Sequence, residues 1–217
     1  MAVVQVRLLG PVDVSADGVP RSMSGVRRQA LITALALNAG QVVSGERLID
    51  LVWGQAPPAT VANALQRHIS YLRAVLGSRS AIVARSSGYV LDLGGEATDV
   101  RQAERLLREG RSTADPAHRL RHLQDAVALW RGPPLTGLTD LMWFDEQARR
   151  LEDLLLQVQQ ALVELRMALG QTPQVIATLE DLVRAHPLDE QIAGTLIRAY
   201  YGTGRQADAL AAYQRLR

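Results

Sequence analysis

The stretch from Thr60 to Tyr89 constrains this chain more than any other. No acidic residue lies between Asp50 and Asp92, although arginines occupy positions 67, 73, 79 and 85. The first half has the spacing of one long helix, and the second half has the pattern of a short hairpin. A helix without acidic residues, followed by an arginine-bearing hairpin, suits a polyanion. We therefore predict that the helix enters a DNA groove and that the hairpin flanks it.

The periodicity of this helix separates a buried side from an exposed side. Thr60 is the expected N-cap, and Gly77 is expected to end the helix. Apolar residues at helical spacing predict a core stripe: Leu65, Ile69, Leu72 and Leu76. Polar residues lie away from that stripe: Asn63, Gln66, Arg67, Ser70 and Arg73. Residues 82–85 and 89–91 are predicted strands, joined by a turn at residues 86–88 that keeps Arg85 near the tip.

Short strands and two helices are predicted before this region. Residues 3–9, residues 12–14 and a segment starting at Val19 predict a small antiparallel sheet, with a turn at residues 16–18. One helix is expected from Ser24 to about Asn38. A second is expected from Ser44, its N-cap, to Trp53. Residues 55–59, which include two prolines, predict a rigid loop before the long helix.

The rest of the chain is predicted to be helical beyond a boundary at Gly94-Gly95. Helices are expected at residues 99–110, with Asp99 as the cap, and at 116–130, 144–169, 173–185, 188–201 and beyond 204. Residues recur at an offset of 34, as in Gly170 and Gly204, which is the tetratricopeptide period. Helix pairs at that spacing stack into a right-handed array. The sequence stops while the last helix is still building, which suggests a truncated chain or a contribution from a partner.

Charge is unevenly distributed along the 217 residues, although the net charge is only +2. Residues 1–95 carry nine arginines and five acidic residues (+4), whereas residues 96–217 carry 15 arginines and 17 acidic residues (−2). The chain has no lysine, and two explanations are open: bidentate contacts with phosphate and guanine, or a GC-rich genome. A basic front half and a slightly acidic back half indicate one anionic partner and one partner of another kind.

Several classes of protein are disfavoured. The chain has no cysteine, and hence no disulfide and no thiolate metal site. It lacks a signal-peptide pattern, and no run approaches the roughly 18 apolar residues of a membrane span, so we expect a soluble cytoplasmic protein with no membrane partner. No HExxH, GxxxxGK[ST] or GxSxG motif occurs, and His118 and His122 are expected to be a surface pair. We therefore predict no enzyme activity, no metal and no cofactor.

The order of the predicted elements resembles the OmpR-like winged helix. The residues that carry the resemblance are SGERLIDLVWG at Ser44–Gly54, HISYLRAVLG at His68–Gly77 and RSSGY at Arg85–Tyr89. Followed by tetratricopeptide-like helices with LWRGPPL at Leu129–Leu135, they look like the Streptomyces antibiotic regulatory protein family. That family joins such a winged helix to a bacterial transcriptional activation domain. Each motif alone is moderately specific, whereas the ordered set, which covers essentially the whole chain, is highly specific.

The resemblance implies a fold and a function. The fold is mainly α with a small β content: a winged helix-turn-helix domain at residues 1–95, followed by an all-α tetratricopeptide-like domain at residues 96–217. The implied function is activation of transcription in the bacterial cytoplasm, at the nucleoid. A homodimer would bind direct repeats in double-stranded DNA near promoters and recruit RNA polymerase holoenzyme through sigma and other subunits. The controlled genes would be those of secondary-metabolite (antibiotic) biosynthesis.

The resemblance also implies roles for individual residues. The recognition helix would lie in the major groove and Arg85 would enter the minor groove. The predicted DNA-binding set, in chain order, is Trp53, Thr60, Asn63, Gln66, Arg67, His68, Ser70, Tyr71, Arg73, Arg85, Ser86 and Tyr89. Bases are assigned to Asn63, Gln66, Arg67, Ser70 and Tyr71, phosphates to His68 and Arg73, and the DNA backbone to Trp53 and Tyr89. The predicted polymerase-facing loop is Gln55, Ala56, Pro57 and Pro58.

Alternatives stay open for some of these residues. Trp53, His68 and Tyr89 could instead serve packing, and the loop at residues 55–59 could be a plain connector. Ser70 and Tyr71 stand where arginine is common in response regulators, so a base preference does not transfer. The chain also lacks a receiver domain with a phosphorylatable aspartate, so phosphorelay control is not expected.

The rival function is a small-molecule or phosphopeptide sensor. Its helical region would be the receptor, and DNA binding would be its output. A hydrolase is a third possibility that no motif supports. The sequence does not specify the target promoter, the inducing signal or the dimer geometry.

Overall fold

A computed structural model describes residues 4–54, 57–94, 98–138 and 141–215. The chain forms two compact units. The first comprises Met1–Arg105 and Ala126–Leu155, and the second comprises Leu106–Asp125 and Leu156–Arg217. These units do not follow chain order, because each takes two segments of the sequence. The predicted division into a domain at residues 1–95 and a domain at residues 96–217 stays a prediction.

The N-terminal sheet of the first unit consists of β1 (Val4–Arg7), β2 (Asp13–Ala16) and β3 (Val19–Arg21), paired antiparallel in that order. Val6 faces Val14 across the first pair. The turn residues Asp17 and Gly18 have φ angles of 51° and 77°, as a two-residue hairpin turn requires. The predicted strands are confirmed, although β1 ends at Arg7 rather than Leu9.

A three-helix core follows, with the second sheet at its end. The helices are α1 (Val26–Leu37), α2 (Gly45–Trp53) and α3 (Val61–Leu76). The short strand β4 (Val43–Ser44) precedes α2, and a 3₁₀ turn leads to β5 (Ile82–Arg85) and β6 (Gly88–Leu91). The sheet order is β4-β6-β5, so the β5–β6 hairpin is the wing of a winged helix. The predicted core stripe of α3 is buried at all four positions: Leu65, Ile69, Leu72 and Leu76.

The ends of these helices follow the sequence with one difference. Ser44 Oγ accepts a hydrogen bond from Arg47 N at 3.1 Å, which confirms the predicted cap of α2. Gly77 ends α3 with a φ of 74°, in the left-handed region that favours glycine. Thr60 occupies the N-cap position of α3, but its side chain makes no capping hydrogen bond. The first amides of α3 therefore lack the side-chain acceptor that the sequence suggested.

The predicted cap at Asp99 is wrong. The helix α4 (Asp99–Ser112) begins at that residue, and Thr98 Oγ1 accepts the capping hydrogen bond from Arg101 N at 3.1 Å. The Asp99 carboxylate is buried and accepts hydrogen bonds from the amides of Leu8, at 2.8 Å, and Leu9, at 3.0 Å. Because these two amides donate to the carboxylate and not to a neighbouring strand, β1 ends at Arg7.

The remaining helices are α5 (Pro116–Val127), α6 (Met142–Ala168), α7 (Ile176–Ala185), α8 (Glu190–Gly202) and α9 (Gln206–Arg215), with a 3₁₀ turn at Thr172–Val175. Asp115 accepts hydrogen bonds from the amides of Ala117 and His118 in α5. This helix ends at Val127, three residues before its predicted end at residue 130. In the second unit the predicted repeat positions Gly170 and Gly204 both turn the chain, with φ angles of 74° and 77°. The described part of this unit is helical, which confirms the predicted fold class.

The two copies of the repeat differ in burial. Leu179 is 2% exposed, but Tyr213, 34 residues later, is 51% exposed. Ile176 and Leu210 differ in the same way, at 8% and 59%. The second copy therefore keeps the helical pattern without burying the same side chains. Within the ranges that the structure describes, no helix has the length and apolar character to cross a membrane.

Gly88 of the wing lies against β4 with no room for a side chain. A Cβ atom at this position would lie 2.0 Å from the carbonyl oxygen of Val43 in β4. We expect Gly88→Ala to lower the free energy of unfolding by at least about 1–3 kcal/mol, the usual cost of overpacking, because β4 and β6 must separate. Urea unfolding measures the change.

Gly45→Ala is the matched control. It lies beside β4, and its added Cβ would meet only Leu65 Cδ2, at an ordinary 4.0 Å. Equal stability of the two variants would contradict the close packing of the wing against β4.

Candidate nucleic-acid interface

One face of α3 is a stripe of exposed polar side chains. The stripe consists of four of the predicted base-reading residues, spaced three and four positions apart: Asn63, Gln66, Arg67 and Ser70. Its members offer amide, guanidinium and hydroxyl groups, which are the groups that pair with base edges in a major groove. No carboxylate occurs anywhere on α3. Thr60, which is also exposed, lies at the N-terminal end of the same helix.

A second flank of α3 packs against α1 and the end of α2. His68 and Tyr71 are half-buried there. Tyr71, which the sequence analysis grouped with the base-reading residues, therefore does not belong to the exposed stripe. The Cζ atom of Arg28 lies 3.9 Å from the centroid of the Tyr71 ring. The rings of Trp53 and His68 are 5.9 Å apart, and Arg27 Cζ is 5.8 Å from the Trp53 ring. We call Arg27, Arg28, Trp53, His68 and Tyr71 the cationic–aromatic cluster.

The third flank of α3 faces the wing through Arg73. Its Nε and Nη2 atoms donate hydrogen bonds to the carbonyl oxygen of Ile82, at 2.9 and 2.6 Å. That carbonyl takes two of the three guanidinium nitrogens, and the side chain is half-buried. Arg73 therefore ties α3 to the start of β5. The phosphate contact assigned to it from sequence stays a prediction.

The wing presents two of its three predicted residues to solvent. Arg85 and Ser86 are exposed at the tip of the β5–β6 hairpin, as the turn chemistry suggested. Tyr89 is half-buried on β6 and packs against the hydrophobic core of the first unit. Tyr89 therefore has a packing role in the fold. The contact with the DNA backbone that the sequence suggested for it stays a prediction.

The predicted polymerase-facing loop is only partly described. Gln55 and Ala56 lie outside the residues that the structure describes. Pro57 and Pro58 are exposed, and the Pro58 carbonyl accepts a hydrogen bond from Val61 N at 2.9 Å. The second half of the loop is thus fixed to the first turn of α3.

Arg27 and Arg28 are the residues of this region that were missing from the predicted site. Burial lowers the pKa of His68 below its ordinary value, and the positive charges of Arg28, Arg27 and Arg67 lower it further. In the described part of the chain, none of these three arginines forms an ion pair with a carboxylate. Two adjacent arginines at the start of a helix in the basic half were the available signal. Only the fold places them beside α3.

The pair His118 and His122 lies apart from this region, on α5. Each imidazole Nδ1 has a different carboxylate neighbour, Asp115 for His118 and Glu109 at 3.6 Å for His122. Among the residues that the structure describes, no group of three potential ligands is arranged around a metal position. Each imidazole thus lies beside its own carboxylate.

Comparison with known proteins gives two family matches. A family model described as "Bacterial transcriptional activator domain" matches residues 98–217, and one described as "Transcriptional regulatory protein, C terminal" matches residues 25–91. Among similar proteins, the transcriptional regulator RedD of Streptomyces coelicolor is 32% identical over 220 residues, which cover 97% of this chain and 63% of RedD. The regulatory protein AfsR of Streptomyces griseus is 32% identical over 209 residues, covering 95% of this chain and 21% of AfsR.

A solved structure of Mycobacterium tuberculosis EmbR, in complex with a low-affinity phosphopeptide, superimposes with a TM-score of 0.91 at 30% sequence identity. The superimposed region covers 100% of this chain and 59% of the EmbR chain. The chain thus spans less than two thirds of the length of each of these three relatives.

These matches and the fold define a transcriptional regulator of the winged-helix class. Both recognised regions occur in the order that the resemblance implied, winged helix first and activator region second. The chain belongs to the Streptomyces antibiotic regulatory protein family of transcriptional activators.

The lowered pKa of His68 gives this region a testable pH response. As the pH falls through about 6.5, the unfolded chain takes up a proton at His68 while the folded chain resists it. This residue therefore lowers the free energy of unfolding as the pH falls from 6.5 towards the lower native pKa. We expect His68→Gln to flatten the pH dependence of stability in that window, measured by urea unfolding.

His186→Gln, at the exposed end of α7, is the control and should leave the pH dependence of the unaltered chain in place. An unchanged pH dependence in His68→Gln would mean that neither burial nor the surrounding arginines lower the pKa of His68 in the folded chain.

Proposed function

We propose that this chain is a sequence-specific DNA-binding activator that binds direct repeats near promoters and recruits RNA polymerase holoenzyme. The observation that carries the proposal is the exposed, carboxylate-free stripe of α3 beside a wing that presents Arg85. A major groove admits an α-helix, and an arginine at a wing tip suits the negative potential of a narrow minor groove. The similarity to RedD and AfsR favours secondary-metabolite genes, including those for antibiotics, as the targets.

The proposed division of labour follows the exposure of the side chains. Arg67, Asn63 and Gln66 read base edges, because they lie together on the solvent-facing stripe. His68 and Arg73 contact phosphates, and Trp53 and Tyr89 contact the DNA backbone; such contacts position the protein without reading sequence. Residues 1–95 carry DNA binding and residues 96–217 carry activation, with the loop at residues 55–58 facing the polymerase.

We also propose a homodimer on DNA. A single winged helix reads too few base pairs to select one promoter, whereas two copies on tandem half-sites double the number of bases that are read. Half-sites would then recur about one helical turn apart, on the same side of the duplex. The nucleoid in the bacterial cytoplasm is the place where such a complex would act.

The central experiment is selection from a pool of random duplex DNA at increasing salt, with sequencing of the retained duplexes. We expect an enriched tandem motif and a steep fall in affinity with salt, because each phosphate contact adds about 0.9 to the salt slope. Retention at low salt with no enriched motif would contradict sequence-specific binding. Failure to bind even at low salt would contradict DNA binding altogether.

The second measurement uses Arg67→Ala on the enriched motif. A guanidinium that pairs with a guanine discriminates against other bases by roughly 1–3 kcal/mol, so the variant should accept substitutions at one base position. Arg184→Ala removes an exposed arginine of α7 and should leave the base preference unchanged. An identical motif for Arg67→Ala and the unaltered chain would remove Arg67 from the reading set.

The rival function, a phosphopeptide sensor with DNA binding as its output, has one specific observation in its favour. The solved EmbR structure, which is similar over the whole of this chain, contains a phosphopeptide. In the second unit, Arg111 and Arg119 line a groove together with Glu164 of α6, so two positive charges and one carboxylate face it. Binding of a labelled phosphothreonine peptide, but not of its unphosphorylated twin, would favour this function, provided that Arg111→Gln abolished the binding.

A further inference from the structure

The cationic–aromatic cluster carries positive charge without carboxylate partners and is open to solvent. A cluster that served packing alone would need neither feature. Three arginine charges, those of Arg27, Arg28 and Arg67, all act on His68, and no carboxylate neutralises them within the described residues. Some other arginines of the first unit are paired: Arg7 with Asp13, Arg149 with Asp145 and Arg150 with Glu146. Within the described residues, Arg27, Arg28 and Arg67 therefore lack the carboxylate partner that Arg7, Arg149 and Arg150 have.

The cluster is open to solvent. Arg27 is exposed, and with Arg28, Val52 and His68 it lines a surface groove of about 580 Å³. The groove borders the flank of α3 that carries His68, one helical position from the base-reading Arg67. A strand of DNA whose bases meet Arg67 therefore has sugar-phosphate backbone on one side of that contact, and the cationic–aromatic cluster occupies that side of α3.

The two arginines are also held in place. The Arg28 guanidinium stacks on Tyr71 at 3.9 Å and its Nη1 donates to the Ser24 carbonyl at 3.2 Å, while Arg27 lies over Trp53 at 5.8 Å. Aromatic faces hold a guanidinium by its flat side and leave its edge N–H groups available to an oxyanion. Arg28 and Arg27 are thereby oriented before a ligand arrives, which lowers the entropy cost of binding.

We propose that Arg27 and Arg28, at the start of α1, form a phosphate-binding site that grips the DNA backbone beside the recognition helix. This inference rests on the proposed function, and it adds a contact from a helix outside the helix-turn-helix pair. The ligand is the phosphodiester backbone of duplex DNA. An acidic segment of a protein such as the polymerase is the alternative partner, and the experiment below separates the two.

The test measures the affinity of the full chain for a short duplex of random sequence over a range of salt concentrations. Arg27→Gln and Arg28→Gln are each expected to lower the slope of log affinity against log salt by about 0.9, one phosphate contact apiece, and the double variant by twice that. Arg150→Gln removes the same charge from an exposed helix position and is expected to leave the slope unchanged. Base preference should be unaffected, because phosphate contacts carry no sequence information.

Arg28→Lys separates charge from packing. It keeps the positive charge and loses the stacked guanidinium, so it should retain most of the salt slope while weakening the contact with Tyr71. Thermal unfolding of each variant identifies any loss of fold. If Arg28→Gln unfolds, Arg27→Gln carries the test, because Arg27 is exposed and makes the longer ring contact.

The outcomes distinguish the inference from the function on which it rests. If the unaltered chain binds no DNA, both fail. If it binds, and Arg67→Ala changes its base preference while Arg27→Gln and Arg28→Gln match Arg150→Gln in salt slope, only the phosphate site at α1 is overturned. Unchanged DNA binding with lost polymerase-dependent transcription would also overturn the site and would assign the cluster to an acidic protein surface.

Discussion

The carboxylate of Asp99 is the interaction on which the arrangement of the first unit depends. It is 2% exposed, and it accepts hydrogen bonds from the amides of Leu8 and Leu9, where the chain leaves β1. Burial raises the pKa of this carboxyl, while the two amides and the charge of Arg131 oppose the rise. A buried carboxylate without those donors would be strongly unfavourable, so the residues at both ends of the interaction are fixed together.

The same short segment is held from its other side. The Leu9 carbonyl accepts from Arg131 N at 2.8 Å, and the Leu8 carbonyl accepts from Leu135 N at 3.1 Å. The LWRGPPL motif therefore supplies the backbone partners that a neighbouring strand would supply at this edge of the sheet. At the other edge of the N-terminal sheet, Arg21 Nη1 donates to the Val75 carbonyl at 2.8 Å. Through these contacts the sheet holds the C-terminal turn of α3, and the exposed stripe with it.

Local pattern explains which parts of this fold the sequence could predict. The core stripe of α3, the Ser44 cap and the Gly77 end depend on residues within a few positions of one another, so their spacing is visible in the chain. The exposed stripe follows from the same periodicity, because residues that avoid the core side must face away from it. In the second unit, the glycines at positions 170 and 204 marked the turns for the same reason.

The parts that the sequence could not supply all join distant positions. Asp99 had the composition of a helix cap, but its partners lie about 90 residues earlier. Tyr71 and Arg73 are polar residues on a helix that lacks acids. In the fold, Tyr71 contacts Arg28 of α1, and Arg73 donates to the Ile82 carbonyl of β5. Sequence alone placed both among the ligand contacts, because a helical wheel does not reveal which flanks a neighbour covers.

Uncompensated charge connects stability with function in this fold. Like charges placed around His68 repel one another, and each pair raises the free energy of the folded state relative to an extended chain in which they are farther apart. Salt screens such exposed charges, and a bound polyanion neutralises them directly. A ligand that binds only the folded state adds its binding free energy to stability. A cluster that destabilises the free protein therefore increases the gain in folding free energy when a ligand neutralises its charges. A polyanion with the right spacing of phosphates provides that neutralisation.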